Sequence, residues 1–217
     1  MRFAAIETST EWCSVALWRD GEIAGAERHA PNRHSELVLP MLEGIFEKEK
    51  FDFRQLDAVA FGAGPGSFTG LRIACGVAQG IAFGRGLPVI GISTLEATAE
   101  ESGASRVVAC IDARMHEVYY SALEKTGTGW REVVAAQCVP PDRVQWPGEG
   151  WIGCGSGFAV YGNMGFSRVM PEIHPSAMAV ARLAAPRLAA GQGVDAALAA
   201  PLYVRDKVAL TVEEQKR

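Results

Sequence analysis

Two acidic side chains stand where short apolar runs end, and they are the first candidates for chemistry. Glu7 closes the run at residues 3–7, and Asp112 closes the run at residues 107–112. Carboxylates at strand ends can hold magnesium and an attacking water in phosphoryl transfer, but that reaction needs several charge-neutralising groups together. The sequence places no cationic phosphate clamp near Glu7. Capping of turns is the alternative role for both acids.

The glycine-rich segment GAGPGSFTGLR at residues 62–72 is the second candidate. It joins an apolar strand to a helix, and the amides of a helix N-terminus attract anions. The segment lacks the lysine of a P-loop, and it does not match G-x-G-x-x-G with a later ribose-binding acid. We therefore favour a structural or partner-contact role over phosphate binding. Ser67 and Thr69 are then interpreted as helix-capping residues.

The histidines do not form a metal motif in the sequence. His34 is followed four residues later by Val38, so a helix would offer one imidazole where a metal needs three or four ligands. His116 and Glu117 begin the zinc-protease pattern H-E-x-x-H, but Tyr120 stands at its fifth position. The sequence predicts no metal site, and a zinc protease is disfavoured.

A serine hydrolase would need the nucleophile elbow G-x-S-x-G. Ser67 has no glycine two residues after it, and residues 153–157 read G-C-G-S-G, which misses the spacing. Neither segment supplies a convincing nucleophile.

Bulk composition limits the remaining classes. The 217 residues carry a net charge of -4 and a pI of about 5.6, whereas autonomous nucleic-acid binders usually present a basic face. Any RNA is therefore expected to be held by another subunit. The five cysteines are far apart and lack C-x-x-C spacing, which predicts reduced thiols. The sequence has no recognisable signal peptide and no apolar run of about 18 residues, so a cytoplasmic location is expected.

Two helices with apolar positions four residues apart are expected to form the main exposed surface. The spacing predicts one helix at residues 35–49 and another at residues 69–84. The apolar positions are Leu37, Met41 and Ile45 on the first helix and Ile73, Val77 and Ile81 on the second. We interpret this surface as a partner face, because it exceeds what one lobe needs.

Three glycines, Gly76, Gly80 and Gly84, repeat at the same spacing on the second helix. Glycine in a helix interior costs about 1 kcal/mol relative to alanine, so Gly76 and Gly80 together destabilise the helix by roughly 2 kcal/mol. Close approach of a partner helix would offset this cost, since a row without side chains lets two helices pack tightly. Packing against a strand of the same lobe would offset it equally well, and the spacing does not decide between the two.

The remaining pattern predicts an α/β protein. Strands are expected at residues 13–18, 23–27, 57–61, 88–92 and 118–122, and a strand leading into a glycine turn at 151–157. Helices are expected at residues 95–101 and 176–190, the second interrupted by Pro186, with irregular exposed strands and loops at 124–150. Residues 200–209 are interpreted as a strand or extended arm, and residues 210–217 as a frayed tail.

The opening of the chain recurs near its middle, which suggests two lobes. An apolar strand, an acid, a turn and a second strand occur at residues 3–18 and again at residues 107–122. Two lobes that each begin in this way are typical of the actin, sugar kinase and Hsp70 superfamily, in which the two acids flank a nucleotide. Chance similarity between two short hairpins would produce the same pattern.

Six segments, in order along the chain, together resemble the TsaB (YeaZ) family. They are AIETSTEWCSVALWRDG at residues 5–21, RHSELVLPML at 33–42, GPGSFTGLRI at 64–73, GISTLEA at 91–97, DARMHEVYY at 112–120 and PLYVRDKVA at 201–209. Each segment alone is weak, but the ordered set covers both ends of the chain and is highly specific. Glu7 stands where the family usually has aspartate, which weakens any nucleotide or metal role carried over to this position.

The resemblance implies an α/β, actin-like (ASKHA, ribonuclease H-like) fold with two lobes, at residues 1–103 and 104–217, of which the second is reduced. It also implies a non-catalytic subunit that binds and activates the catalytic subunit TsaD, together with the ATPase TsaE, in making N6-threonylcarbamoyladenosine in tRNA. The family pairs with TsaD, or with itself, through its first two helices, so a homodimer is expected without TsaD.

The resemblance also implies which residues form the partner-binding site. The partner contacts are assigned to Leu37, Met41, Ile45, Ile73, Gly76, Val77, Gly80 and Ile81. No cofactor is expected, and tRNA is expected to bind only through the complex. A stand-alone actin-like ATPase or small-molecule kinase is the alternative.

Overall fold

A computed structural model of the chain describes residues 1–127 and 129–205. Over these residues the chain forms ten strands and five α-helices. The strands are β1 (Arg2–Glu7), β2 (Trp12–Arg19), β3 (Glu22–His29), β4 (Ala58–Gly64), β5 (Val89–Ser93), β6 (Arg106–Arg114), β7 (Glu117–Thr126), β8 (Gly129–Val139), β9 (Ile152–Cys154) and β10 (Val169–Met170). The helices are α1 (His34–Lys48), α2 (Phe68–Phe83), α3 (Thr94–Glu101), α4 (Ser156–Tyr161) and α5 (Ala177–Ala189).

The strands form two five-stranded sheets with the same internal order. The first sheet runs β3-β2-β1-β4-β5, and the second runs β8-β7-β6-β9-β10. In each sheet the first three strands along the chain are antiparallel neighbours, while the last two run parallel to the first. The repeat predicted from residues 3–18 and 107–122 is therefore a repeat of a whole sheet topology. Chance similarity of two hairpins does not account for it.

The two sheets are the second and fourth of five layers. Alternate residues of each strand point to opposite faces, so Ile6 of β1 packs under α1 and α2 while Phe3 and Ala5 pack on the other side. α3 and α5 lie between the sheets, in a core that contains residues of both. α4 and its neighbouring loops cover the far face of the second sheet. Because β1 and β4 are buried on both faces, they read as continuous apolar runs in the sequence.

The second lobe keeps the sheet but has shorter helices at equivalent connections. In the first lobe α1 (15 residues) links the third and fourth strands, and α2 (16 residues) links the fourth and fifth. The same connections in the second lobe hold a 3-residue 3-10 turn at Pro141–Arg143 and the 6-residue α4. The reduced second lobe implied by the resemblance is confirmed.

Three predicted details differ from the structure. Pro186 does not interrupt α5, which continues through it from Ala177 to Ala189. Thr69 lies inside α2 and does not cap it, whereas Ser67 is the N-cap as predicted. Residues 124–150 contain a longer strand than expected, the 11-residue β8 at the edge of the second sheet. Of the expected arm and tail, residues 206–217 lie outside the described residues.

α5 belongs to the second half of the chain but packs against the first sheet. It contacts β1, β2, β4 and β5. After it, Val194 pairs with Val89 at the start of β5. Along the chain, the strands of the first sheet end before α3 and those of the second sheet begin at β6. The lobe boundary at residues 103 and 104 lies between α3 and β6 and stays a prediction. Among the helices described, none is long and apolar enough to cross a membrane.

Candidate functional site

Gly76, Gly80 and Gly84 form a glycine stripe along α2, and this stripe faces outward. Gly76 and Gly80 are exposed, and a methyl group added to either would meet no described atom within 4 Å. Gly84, the C-cap residue of the helix, is equally open. Packing of the stripe against a strand of its own lobe is therefore excluded for the described part of the chain. Phe83 lies on the same side of α2, three residues after Gly80, and is 74% exposed.

The apolar positions predicted for the partner face divide into two groups. Three of them, Met41, Ile45 and Ile81, are buried in the core beneath α1 and α2. The other three, Leu37, Ile73 and Val77, are half-buried beside that core. Spacing of four marks the side of a helix that turns toward its own sheet, so it selected core residues together with their neighbours.

A groove of about 330 Å³ opens beside the buried residues of α1 and α2. Leu39 forms part of its wall and is 48% exposed. The outer helix face is defined here as Leu39, Ile73, Gly76, Val77, Gly80 and Phe83. Sequence reasoning missed Leu39 and Phe83. Continuing the series from Gly76 and Gly80 by three residues would have found Phe83.

The glycine-rich loop before α2 packs against the turn after β1. The Ser67 amide donates to the Ser9 carbonyl (2.7 Å), and the Thr8 hydroxyl donates to the Gly70 carbonyl (2.8 Å). The Ser67 hydroxyl accepts a hydrogen bond from the Gly70 amide (3.3 Å). A Cβ at Gly70 would overlap the Thr8 carbonyl oxygen, so the approach requires glycine. Two amides that an anion would need are already bonded within the chain, which favours the structural role.

Glu7 is fully buried at the end of β1. Its Oε1 accepts a hydrogen bond from the Ser9 amide (2.6 Å), and its Oε2 has no hydrogen-bond partner among the described atoms. Burial raises the pKa of the Glu7 carboxyl, and the hydrogen bonds from Ser9 offset only part of that effect. Magnesium usually keeps several waters in its coordination shell, and the fully buried Glu7 carboxyl is not exposed to solvent that could supply them.

Asp112, the corresponding acid of the second lobe, is held in an ion pair. Its Oδ2 lies 3.3 Å from Nη1 of Arg114, and its Oδ1 accepts a hydrogen bond from the Tyr161 hydroxyl (3.3 Å). Nη2 of Arg114 also donates to Oε1 of Glu11 in the first lobe (2.8 Å). The two acids thus occupy equivalent strands but differ in their surroundings, and a protein cation already engages Asp112.

The other candidate residues do not converge on one site. His34 is buried in the first turn of α1, where burial lowers its pKa, and His116 is exposed on the turn between β6 and β7. Ser156, within the glycine turn after β9, accepts a hydrogen bond from the Asp112 amide (3.1 Å). Within residues 1–127 and 129–205, no three histidine, cysteine or acidic side chains come together as a metal site would need.

Solved structures and a family model identify the class of protein. A family model described as TsaD: tRNA N6-adenosine threonylcarbamoyltransferase matches residues 28–154, more than half of the chain. YeaZ from Pseudomonas aeruginosa superposes with a TM-score of 0.88 at 37% identity, covering 93% of this chain and 99% of that one. A second solved structure from Pseudomonas aeruginosa, of a protein described as similar to peptidase YeaZ, gives a TM-score of 0.89 at 37% identity, with coverages of 94% and 99%. The chain is therefore a two-lobed α/β protein with a TsaD-type domain.

Two bacterial relatives show to which family within this class the chain belongs. The tRNA threonylcarbamoyladenosine biosynthesis protein TsaB of Escherichia coli (strain K12) is 37% identical over 223 residues, covering 96% of this chain and 96% of that protein. The protein of the same name from Haemophilus influenzae is 37% identical over 220 residues, covering 94% and 93%. The chain belongs to the TsaB (YeaZ) family.

Proposed function

We propose that this chain is a non-catalytic subunit in the synthesis of N6-threonylcarbamoyladenosine in tRNA. In this role it binds and activates the catalytic subunit TsaD together with the ATPase TsaE. Membership of the TsaB family supports the pathway, because relatives named for it align with nearly the whole chain. The observation that carries the proposed binding role is the outward glycine stripe of α2.

The outer helix face is suited to close packing against a helix of another subunit. Gly76 and Gly80 leave the α2 backbone bare, and Phe83 presents an exposed apolar side chain on the same side of α2. Leu39 of α1 is exposed at the groove that Ile81 of α2 also lines. Helices usually pack 8–10 Å apart, at distances set by the side chains at the interface, so a bare row allows a closer approach. Burial of this face against a partner helix would offset the roughly 2 kcal/mol that the two glycines cost α2.

The absence of independent chemistry is part of the proposal. Burial favours the neutral form of Glu7, and Arg114 pairs with Asp112, so neither acid is placed as a stand-alone ATPase or small-molecule kinase would need. A phosphate-release assay on the purified chain tests this point, alone and after addition of TsaD and TsaE from the same source. ATP turnover by the chain alone that disappears in Glu7→Gln would contradict the non-catalytic role.

Without TsaD, the outer helix face is expected to pair with a second copy of this chain. A self-complementary patch closes most simply as a two-fold dimer, and TsaD would compete for the same patch. Light scattering of the chain during titration with TsaD measures this exchange. A homodimer that persists intact inside the TsaD complex would place the two interfaces on different surfaces.

The substitution Gly80→Leu tests the partner face directly. A leucine on the stripe would hold the helices apart, and overpacking of this size costs about 1 to 3 kcal/mol, or roughly ten- to a hundredfold in affinity. The variant should stay folded by circular dichroism, become monomeric by light scattering and lose affinity for TsaD in calorimetry.

The matched control is Ala159→Leu, which adds bulk at an exposed position of α4 in the second lobe. It should leave the dimer and the TsaD affinity unchanged. A folded Gly80→Leu variant that still dimerises and binds TsaD as the wild type does would show that the partner face lies elsewhere.

A further inference from the structure

Three consecutive residues between β6 and β7 adopt left-handed backbone conformations. Arg114, Met115 and His116 have φ values of 60°, 55° and 58°. Residues with side chains adopt this region singly and at a cost, and a run of three persists only where the surroundings hold it. Something in the fold must therefore stabilise this turn.

Arg205 supplies that support from the far end of the described chain. Its Nη2 lies 3.0 Å from the Ala113 carbonyl oxygen and 3.5 Å from the Arg114 carbonyl oxygen, at the entrance to the turn. The same nitrogen lies 2.6 Å from Oε2 of Glu117, the first residue after the turn. The guanidinium also lies over the ring of Tyr119, 5.6 Å from its centroid. One side chain thus contacts both ends of the left-handed run.

The residues just before Arg205 are fixed to the first lobe. The Ala199 carbonyl accepts a hydrogen bond from Nε2 of Gln79 on α2 (3.0 Å), and the Leu202 amide donates to the Ala63 carbonyl of β4 (2.7 Å). The segment at residues 199–205 therefore starts on the first lobe and ends on the second.

Tyr203 is the last anchor before the crossing. Its hydroxyl accepts a hydrogen bond from Nε of Arg72 (3.1 Å), and its ring lies 5.8 Å from that of Phe68. Arg72 in turn lies over the Phe68 ring, 3.7 Å from its centroid. Val204 is the single residue between this anchor on the first lobe and Arg205 on the second.

We propose that residues 199–205 form an interlobe latch, in which the Arg205 side chain holds the turn at residues 114–116 in its left-handed conformation. The turn carries Arg114, which itself bridges Asp112 in the second lobe and Glu11 in the first. The latch and this bridge therefore reinforce each other, and loss of Arg205 releases both. The latch goes beyond the proposed partner-binding role and does not depend on it.

Hydrogen exchange of the full chain, read by mass spectrometry, tests the latch. Arg205→Ala removes three contacts of a charged donor, so amide exchange at residues 113–117 should accelerate about tenfold or more. Amides at residues 199–204 should accelerate as well, because the latch is then held at one end only. Exchange in β1 and β4 should stay at the wild-type rate. The control, Arg106→Ala, removes an exposed ion pair with Glu124 inside the second lobe and should leave both segments unchanged.

A second variant tests the coupling from the other end. Tyr203→Ala removes an exposed side chain whose contacts with Arg72 and Phe68 lie in the first lobe. The latch predicts faster exchange at residues 113–117 in the second lobe of this variant. Wild-type exchange at residues 113–117 in both variants overturns the proposal. If Arg205→Ala unfolds, the Tyr203→Ala result decides alone.

Discussion

At the scale of single residues, Glu7 and Gly62 fit closely together. The Glu7 carboxyl lies against the backbone of β4, and a Cβ at Gly62 would overlap its Oε2. The side chain is fully buried, and burial raises its pKa. The buried Glu7 side chain is therefore accommodated by a missing side chain on the neighbouring strand.

The raised pKa of Glu7 makes stability depend on pH. The folded protein binds the Glu7 proton more tightly than the unfolded chain, so this contribution is full below the ordinary value of 4.5 and is lost as pH rises toward the folded-state pKa. Glu7→Gln keeps the shape and removes the titration. We expect its urea midpoint to exceed that of the wild type at pH 7.5, with a smaller difference at pH 4.5. An equal difference at both pH values would contradict this expectation.

Part of this residue-scale picture could be predicted from the sequence. The position of Glu7 at a strand end followed from the apolar run before it, and Ser67 followed from its place before a helix. Asp112 was expected to end its strand as well, but β6 continues to Arg114. The burial of Glu7 could not be predicted, because its neighbour Gly62 belongs to a strand that is distant in the sequence. The bridge from Arg114 to Glu11 likewise joins residues 103 positions apart, which no local spacing reveals.

At the scale of elements, α2 carries glycines of two kinds. Gly76 and Gly80 face open space, whereas Gly70 lies against the Thr8 carbonyl. Local spacing showed that the glycines share a helix, but only the packing of the strands beneath shows which of them the lobe itself requires. The strand β8 was similarly hard to foresee, because an edge strand with many exposed side chains has a weak apolar pattern.

Alanine substitutions should separate the two kinds of glycine. Measured at a concentration too low for the homodimer to form, Gly76→Ala and Gly80→Ala should each stabilise the monomer by about 1 kcal/mol and raise its melting temperature by roughly 2–4 °C, because alanine favours the helix and its methyl group meets nothing within the chain described. Gly70→Ala on the same helix should destabilise the chain by about 1–3 kcal/mol, because its methyl group overlaps the Thr8 carbonyl. Thermal unfolding measures all three. A shift of the same sign in all three variants would contradict the outward stripe.

At the scale of the whole molecule, charge limits what the chain can bind alone. With a net charge of -4, it lacks the basic excess that neutralises phosphates. We expect a mobility-shift assay at physiological salt, about 0.15 M, to show weak or no tRNA binding by the chain alone and binding once TsaD is present. A tight complex with the lone chain would point to a local basic patch and would contradict the expectation.

The two-lobe architecture could be predicted in outline, because each lobe begins with the same strand, acid and strand. The packing of α5, from the second half of the chain, against the first sheet could not be predicted. α5 follows the second sheet in sequence yet packs against β1, β2 and β4 of the first. Its alanine-rich pattern indicates that one face of the helix is buried, but it does not indicate which sheet that face packs against.

The position of α5 has a consequence for synthesis on the ribosome. The first sheet is complete when β5 ends at Ser93, and α3 follows at once, but α5, the inner-face helix that packs against β1 and β2, ends only at Ala189. Translation adds about 5–20 residues per second, so the inner face waits roughly 5 to 20 s for its cover. During that interval the apolar side chains of β1 and β4 are open to chaperones and to neighbouring nascent chains. The time for which this apolar surface is exposed during synthesis is therefore set by the number of residues between β5 and the end of α5.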